Sequence, residues 1–429
     1  MHLRSRGLVL AVVVAATVAA CQPAASTAPT SAPASVAPGS GAPSASAALP
    51  TGESITIGAA MALTGDFSPD TKLVRDGYEF AVARINELGG ITVGGEQRPI
   101  ELIVRDDGSD REVSARLLEQ LIAEDEVDLL LAPWGSGNTN AVAPISERYG
   151  RVMVAPLAAS DSIWEQGYEH LFGILPLGSD SLRGTMRMAA DLGVTRIGAI
   201  TTDDLFPALS HEGVIDEADQ LGLEVVVNEI YPPGTLDVGA IITQLQESEA
   251  DFVLAPVDVA DAIVLVQQMQ QRDYRPAGLS LAGATFVPDF LTNVGDAADG
   301  LYGFVYWHRT LPTSDAIFGT SEEFAQAFEA DFGYQPTHDT AAALAAVSVL
   351  KLAVEAADSL EQTAVRDAMR AIDVDTVFGP IKFDPAGYNL ALKYPYTVQQ
   401  QDLELTVVYP ADQAGAEPVY PVAEWGRLR

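Results

Sequence analysis

Apolar and polar positions follow two alternating rhythms from residue 54 of this 429-residue chain onward. Ile55–Met61 is an almost unbroken apolar run and predicts a buried strand. Val74, Tyr78, Phe80, Ala81, Val82 and Ile85 then recur at helical spacing, and Gly89-Gly90 predicts the stop. Residues 100–104 predict the next strand, and Val113, Leu117, Leu118, Leu121 and Ile122 mark one face of a helix. A strand over 127–132, a helix over 141–148 and a strand over 152–155 complete the first block. Pro144 is tolerable in that helix only near its first turn, because proline lacks the N–H donor.

The rhythm then restarts. Helices are predicted over 182–192, 212–222, 238–247 and 260–272, and strands over 197–201, 225–230, 252–255, 279–282 and 302–306. Helices at 321–332, 338–357 and 361–371 follow, then a strand-rich tail at 378–409. Repeated strand–helix alternation predicts parallel sheets covered on both faces. Two such blocks predict an α/β protein of two doubly wound, Rossmann-like lobes, which the body of about 375 residues is long enough to fill.

The N-terminus is patterned differently. Arg4 and Arg6 precede an apolar run over 8–14, and the stretch ends Val18-Ala19-Ala20-Cys21. That run is too short for a membrane span and reads as a signal segment. Its end resembles a bacterial lipobox, which implies cleavage before Cys21 and a diacylglycerol on the thiol. The plainer reading is an ordinary secretory signal with a chance cysteine. Cys21 is the only cysteine, so no intrachain disulfide forms. Residues 22–53 are Ala, Ser, Pro, Thr and Gly with almost no bulky apolar side chain, and predict a disordered tether. A flexible coil of that length spans roughly 30 Å. No later apolar run reaches the roughly 18 residues of a membrane helix, so a soluble body is expected.

The net charge of −35 repels nucleic acid, which needs a cationic face. It favours solubility and identifies no ligand. Phosphate-binding and dinucleotide-binding glycine motifs are absent, as is a nucleophile elbow around Ser136. The five histidines (His2, His170, His211, His308, His338) lack metal-ligand spacing. No catalytic residue, metal or cofactor is expected.

In open α/β sheets a ligand sits beyond the carboxyl ends of the strands. That rule selects the loop Pro133-Trp134-Gly135-Ser136-Gly137-Asn138-Thr139, which opens a helix with free N–H groups and adds polar side chains. Ser136 or Asn138 could equally be a plain helix cap. Trp134 could wall a cleft or fill a core, and Phe67 is a weaker candidate wall. The next strand ends at Leu157-Ala158-Ala159-Ser160. In the second block the rule selects 201–206, including Asp203, Asp204 and Phe206, then Pro256-Val257-Asp258, then 283–286. Asp203-Asp204 could instead cap a helix and complement its dipole.

Ala62-Leu63-Thr64-Gly65 through Ile85-Asn86-Glu87-Leu88-Gly89-Gly90-Ile91, Arg105-Asp106-Asp107 and Thr376-Val377-Phe378-Gly379-Pro380-Ile381-Lys382-Phe383-Asp384 resemble, in order and spacing, the Leu/Ile/Val-binding type of periplasmic solute-binding protein of ABC transporters. The resemblance covers most of 54–410. It implies the type I fold, with lobe one over 54–177 plus 307–378 and lobe two over 178–306 plus 379–429, after a signal peptide (1–20) and a lipidated linker (21–53). The lobes would hinge near 177, 307 and 378. It implies a carboxylate cradle at Ser136, Asn138 and Thr139, completed by Ala158, Ala159 and Ser160, although a family threonine is replaced by Ala159. Relatives place an aromatic where Asp258 stands and an acid near 282–285, which this chain lacks. Asp203, Asp204 or Asp258 would then hold a ligand ammonium, and Phe206 stands where the family has a tyrosine. The implied function is capture of an amino acid, amide or related small carboxylate by a membrane-anchored monomer that delivers it to an ABC permease. A receptor module for a sensor kinase and an enzyme in the same cleft are the alternatives.

Overall fold

The computed structural model describes residues 52–392, 395–422 and 424–426. The expectations on the signal segment, Cys21 and the tether up to residue 51 lie outside the described residues.

The first sheet holds β1 (Ile55–Met61), β2 (Ile100–Asp106), β3 (Leu129–Leu131), β4 (Met153–Ala155) and β5 (Leu171–Gly173) in the order β2-β1-β3-β4-β5, all parallel. The second holds β6 (Arg196–Thr202), β7 (Glu224–Tyr231), β8 (Phe252–Leu254), β9 (Gly278–Ser280), β10 (Tyr302–Val305), β11 (Tyr396–Gln401) and β12 (Glu404–Tyr409) in the order β12-β11-β10-β9-β8-β6-β7. Its first five strands in sequence are parallel, and the last two add antiparallel. Central strands buried on both faces need continuous apolar sequence, which is why Leu129–Leu131 and Phe252–Leu254 carry no alternation. In each sheet the strand order reverses beside the first strand, between β1 and β3 and between β6 and β8. A ligand crevice forms at such a switch point.

Six helices position the cleft: α1 (Ser68–Glu87), α2 (Arg111–Ala123), α3 (Ser136–Tyr149), α4 (Leu205–Leu221), α5 (Val259–Gln271) and α6 (His338–Ala357). The first five follow sheet strands. α6 belongs to the segment that returns to lobe one, and Thr337 caps it through Thr340. Its 20 residues and mean hydropathy of 1.6 would suit a membrane span by length and composition, yet 72% of that window is buried inside the fold. It lies along α1, where a Cβ on Gly77 would come within 2.6 Å of the Thr340 carbonyl oxygen. Only glycine permits that approach, and it fixes the start of α6 beside the middle of α1.

Three local expectations are corrected. α3 begins five residues before residue 141, so Pro144 lies in the helix interior and leaves the Asn140 carbonyl without an intrahelical donor. α4 begins at Leu205 rather than 212, because Asp204 caps it by accepting from Leu205 N. A fifth strand, Leu171–Gly173, joins the first sheet and was too short to register as a run.

The chain leaves the first sheet after β5 and enters the second lobe through the turn Gly178–Asp180. It returns after β10, where Trp307 stacks near Phe324 and donates to Ser321 Oγ at 2.9 Å. The third crossing differs from the expected one near 378. The hairpin Asp373–Thr376/Gly379–Lys382 and the following residues stay with lobe one. Gly173 N donates to Gly387 O at 2.8 Å, and Asn389 Nδ2 donates to Ile174 O at 3.0 Å. This segment covers the open edge of β5, so the chain crosses only between Leu390 and Tyr396.

Candidate ligand-binding cleft

Between the lobes lies a cavity of about 90 Å³, counted for the centres of water-sized molecules. Residues that follow β1 to β6 and β8 to β10 line it, together with the start of α6. The cavity therefore sits at the carboxyl ends of both sheets.

On the lobe-one side, α3 starts at Gly135 with no side-chain cap. Ser136 Oγ accepts from Ala159 N at 3.0 Å and from Ser160 N at 3.1 Å, tying two successive strand-end loops together. Asn138 lines the cavity, but its amide is engaged at both ends: Nδ2 donates to Trp134 O at 2.9 Å and Oδ1 accepts from Arg111 Nε at 3.0 Å. Thr139 is turned away, its hydroxyl donating to Pro133 O at 3.4 Å. Trp134 faces the cavity and lies 5.9 Å, ring to ring, from Phe67. Ala158, Ala159 and Ser160 are buried behind Ser136 and do not line the cavity.

Across the cleft, Asp204 meets Arg111 Nη2 at 2.5 Å. Arg111 is 39% exposed and Asp204 8%, so this pair links the lobes at the rim. The Arg111 guanidinium lies against Gly137, where an added Cβ would sit 2.5 Å from Nη2. Asp203 lies outside the cavity, on a neighbouring depression shared with Ser160 and Glu212. Phe206 lines the cavity, 6.5 Å from the Phe304 ring. Asp258 occupies the cap position of α5 yet accepts no capping hydrogen bond, and its carboxyl faces the cavity. Burial, aided by Asp204 and Asp261 and opposed by Arg111, pushes that carboxyl up to about 7.

The loops selected from sequence leave out ten of the 24 lining residues. Asp70, in the first turn of α1, is buried, and burial with Asp258 and Asp339 beside it holds its carboxyl well above the usual range. Asp339 and His338 open α6, with His338 Nε2 at 3.0 Å from Asp339 Oδ1. Phe286 of lobe two meets His338 of lobe one edge-on, centroids 4.6 Å apart. Among the described residues, Tyr306 Oη and His338 Nδ1 are buried with no hydrogen-bond partner. Asp70 and Arg111 both follow strand ends, so the strand-end rule applied to β1 and β2 would have found them. His338 and Asp339 follow no strand, and the rule has no purchase there. No group of three or more His, Cys, Asp or Glu among the described residues is arranged to hold a metal ion.

Two α/β lobes closed over a cavity at the carboxyl ends of both sheets define a bilobed solute-binding protein. Residues 54–402 match the family model described as periplasmic binding protein, and the chain belongs to that family. Leu/Ile/Val-binding protein homolog 7 of Brucella suis is 27% identical over 398 residues, which span 88% of this chain and 95% of that protein. Homolog 8 of Brucella abortus is 27% identical over 358 residues, 80% of this chain and 87% of that protein. Among solved structures, the branched-chain amino acid transporter substrate-binding protein of Streptococcus pneumoniae, in complex with isoleucine, superposes with a TM-score of 0.72 at 19% identity, covering 86% of this chain and 100% of that one. A solute-binding protein from R. palustris in complex with benzoate gives 0.71 at 19% identity, covering 86% and 99%. These likenesses establish the type I periplasmic binding fold. The family's members are binding proteins of transporters and work outside the cytoplasm.

Proposed function

We propose that this chain is the lipid-anchored receptor of an ABC importer, a monomer that captures a small solute between its lobes and delivers it to a membrane permease. The observation that carries this reading is the cavity lined from both lobes at the switch points of both sheets. Trp134 and Phe206 act as its walls, Asp258 as a polar contact, and Ser136 and Asn138 hold the lobe-one loops in shape. The small ligands held by the two structural neighbours, isoleucine and benzoate, support a solute of similar size. The lipid on Cys21 supplies about 0.8 kcal/mol per buried CH₂ and holds the receptor at the membrane.

A solute library tested by thermal shift is expected to give a clear hit, since a ligand at 100 times its Kd adds about 2.7 kcal/mol to the folded state. Small-angle scattering is then expected to show a smaller radius of gyration. A library without any hit, together with no solute in native mass spectra of the purified protein, would remove the capture reading. A processed Cys21→Ser variant is expected in the soluble fraction, and its retention on membranes would remove the anchor.

A further inference from the structure

We propose that the captured solute is a small primary amine without a carboxylate, its ammonium held among Asp70, Asp258 and Asp339 and its apolar body against the aromatic walls. This assignment rests on the capture function proposed above and names its ligand class.

Charge is the first argument. Three carboxylates from three helix starts reach one cavity, and Asp70 lies within electrostatic range of both others. The cavity lining contains no lysine, and its single arginine, Arg111, is engaged by Asp204. An anion entering here would find no free cationic side chain and would hold these carboxyls protonated, whereas a cation gains counter-charge as they ionise.

The second argument is independent and comes from hydrogen bonding. An ammonium carries three donors and needs acceptors when buried. Asp258 forgoes the capping bond of its own helix and leaves both oxygens for another donor. Tyr306 Oη and His338 Nδ1, on residues 1% and 5% exposed, have no partner, and both residues line the cavity. Each can accept from an N–H. Of the groups offered to a carboxylate, the N–H donors of Ala159 and Ser160 go to Ser136 Oγ and Asn138 is engaged at both ends of its amide, which leaves only the uncapped N–H groups at the start of α3. Thr139 is turned to Pro133. The remaining wall is hydrocarbon and aromatic, with Phe206, Phe286, Phe304 and Trp134 presenting faces suited to an apolar body beside a cation. At roughly 10–15 Å³ per water-sized position, the cavity holds about six to nine such positions, which admits a ligand of similar atom count.

The test uses the mature protein and two matched series: isopentylamine, 4-methylpentanoate and leucine; and benzylamine, benzoate and phenylglycine. Calorimetry is expected to rank the amine first in at least one series, roughly tenfold or more tighter than the zwitterion and the acid. Asp258→Asn is expected to weaken the amine at least roughly tenfold and to leave the acid's affinity unlowered. Amine binding near pH 6, repeated in buffers of different ionisation enthalpy, is expected to release protons. The groups facing the ammonium are Asp70, Asp258, Asp339, His338 and Tyr306, with Asp204, Asp261, Asp289 and Arg111 around them. A cation among them drives the protonated carboxyls to ionise. A carboxylate or zwitterion as the tightest member, binding by calcium ion instead of an amine, or no binding by either amine overturns the proposal. None of these outcomes touches the capture function, which the solute library and native mass spectra test for a ligand of any charge.

Discussion

At the residue scale, Asp258 shows how a binding site is held at the expense of stability. Its carboxyl titrates near 7 in the fold, against about 4 when unfolded. The native state therefore holds more protons between those values. The stability of the ligand-free protein should fall as pH rises from about 4 to 7 and level off above. Asp70 is shifted in the same direction. Replacing Asp258 by Asn removes its share, so the ligand-free variant should lose less stability over that interval and melt above the wild type at pH 8. Calorimetric melts across the interval check this, and identical pH slopes would assign the titration elsewhere. Asp258 was legible in the sequence because it follows a strand end and departs from the family pattern. Asp70 follows a strand end as well but was passed over, since an acid in a first helical turn has a sufficient explanation in the helix dipole.

At the scale of elements, the start of α2 is tied to the start of α4. Arg111 is the first residue of one helix and Asp204 caps the other, and Arg111 also reaches Asn138 on α3. One partner is 39% exposed and the other 8%. The coupling should fall between an exposed pair's few tenths and a buried pair's several kcal/mol, at about 1 kcal/mol. A double-mutant cycle with Arg111→Ala and Asp204→Ala measures it. Either variant should raise the ligand-free radius of gyration in scattering, and unchanged scattering in both would deny the pair a role in closure. Gly137→Ala should act in the same direction, because its methyl takes the guanidinium's place. Most of the strands and helices that build this region were legible, because buried parallel strands and amphipathic helices leave distinct periods. The starts of α3 and α4 were legible only as capping alternatives at 133–139 and at Asp203-Asp204, since backbone geometry and capping carry no apolar signal.

On the scale of the whole molecule, two lobes could be read from two blocks of alternation, and their cleft from the switch-point rule. The third crossing could not. Residues 383–390 pair with the edge of the first sheet through Gly387, Asn389 and the Phe383–Phe172 and Tyr388–Trp164 ring contacts. Those partners lie more than 200 residues upstream, and no local pattern announces such a pairing. The last passage between lobes therefore lies after Asn389 rather than near 378. The bridge from Arg111 to Asp204 has a further consequence once closing is seen as a matter of rates. It spans the rim and re-forms over a solute that has entered, so it acts on escape. Mobile ions weaken such a rim contact over a Debye length of about 8 Å at physiological salt. Residence time of the trapped solute should shorten as salt rises, and Arg111→Ala should both shorten it at low salt and remove most of that dependence.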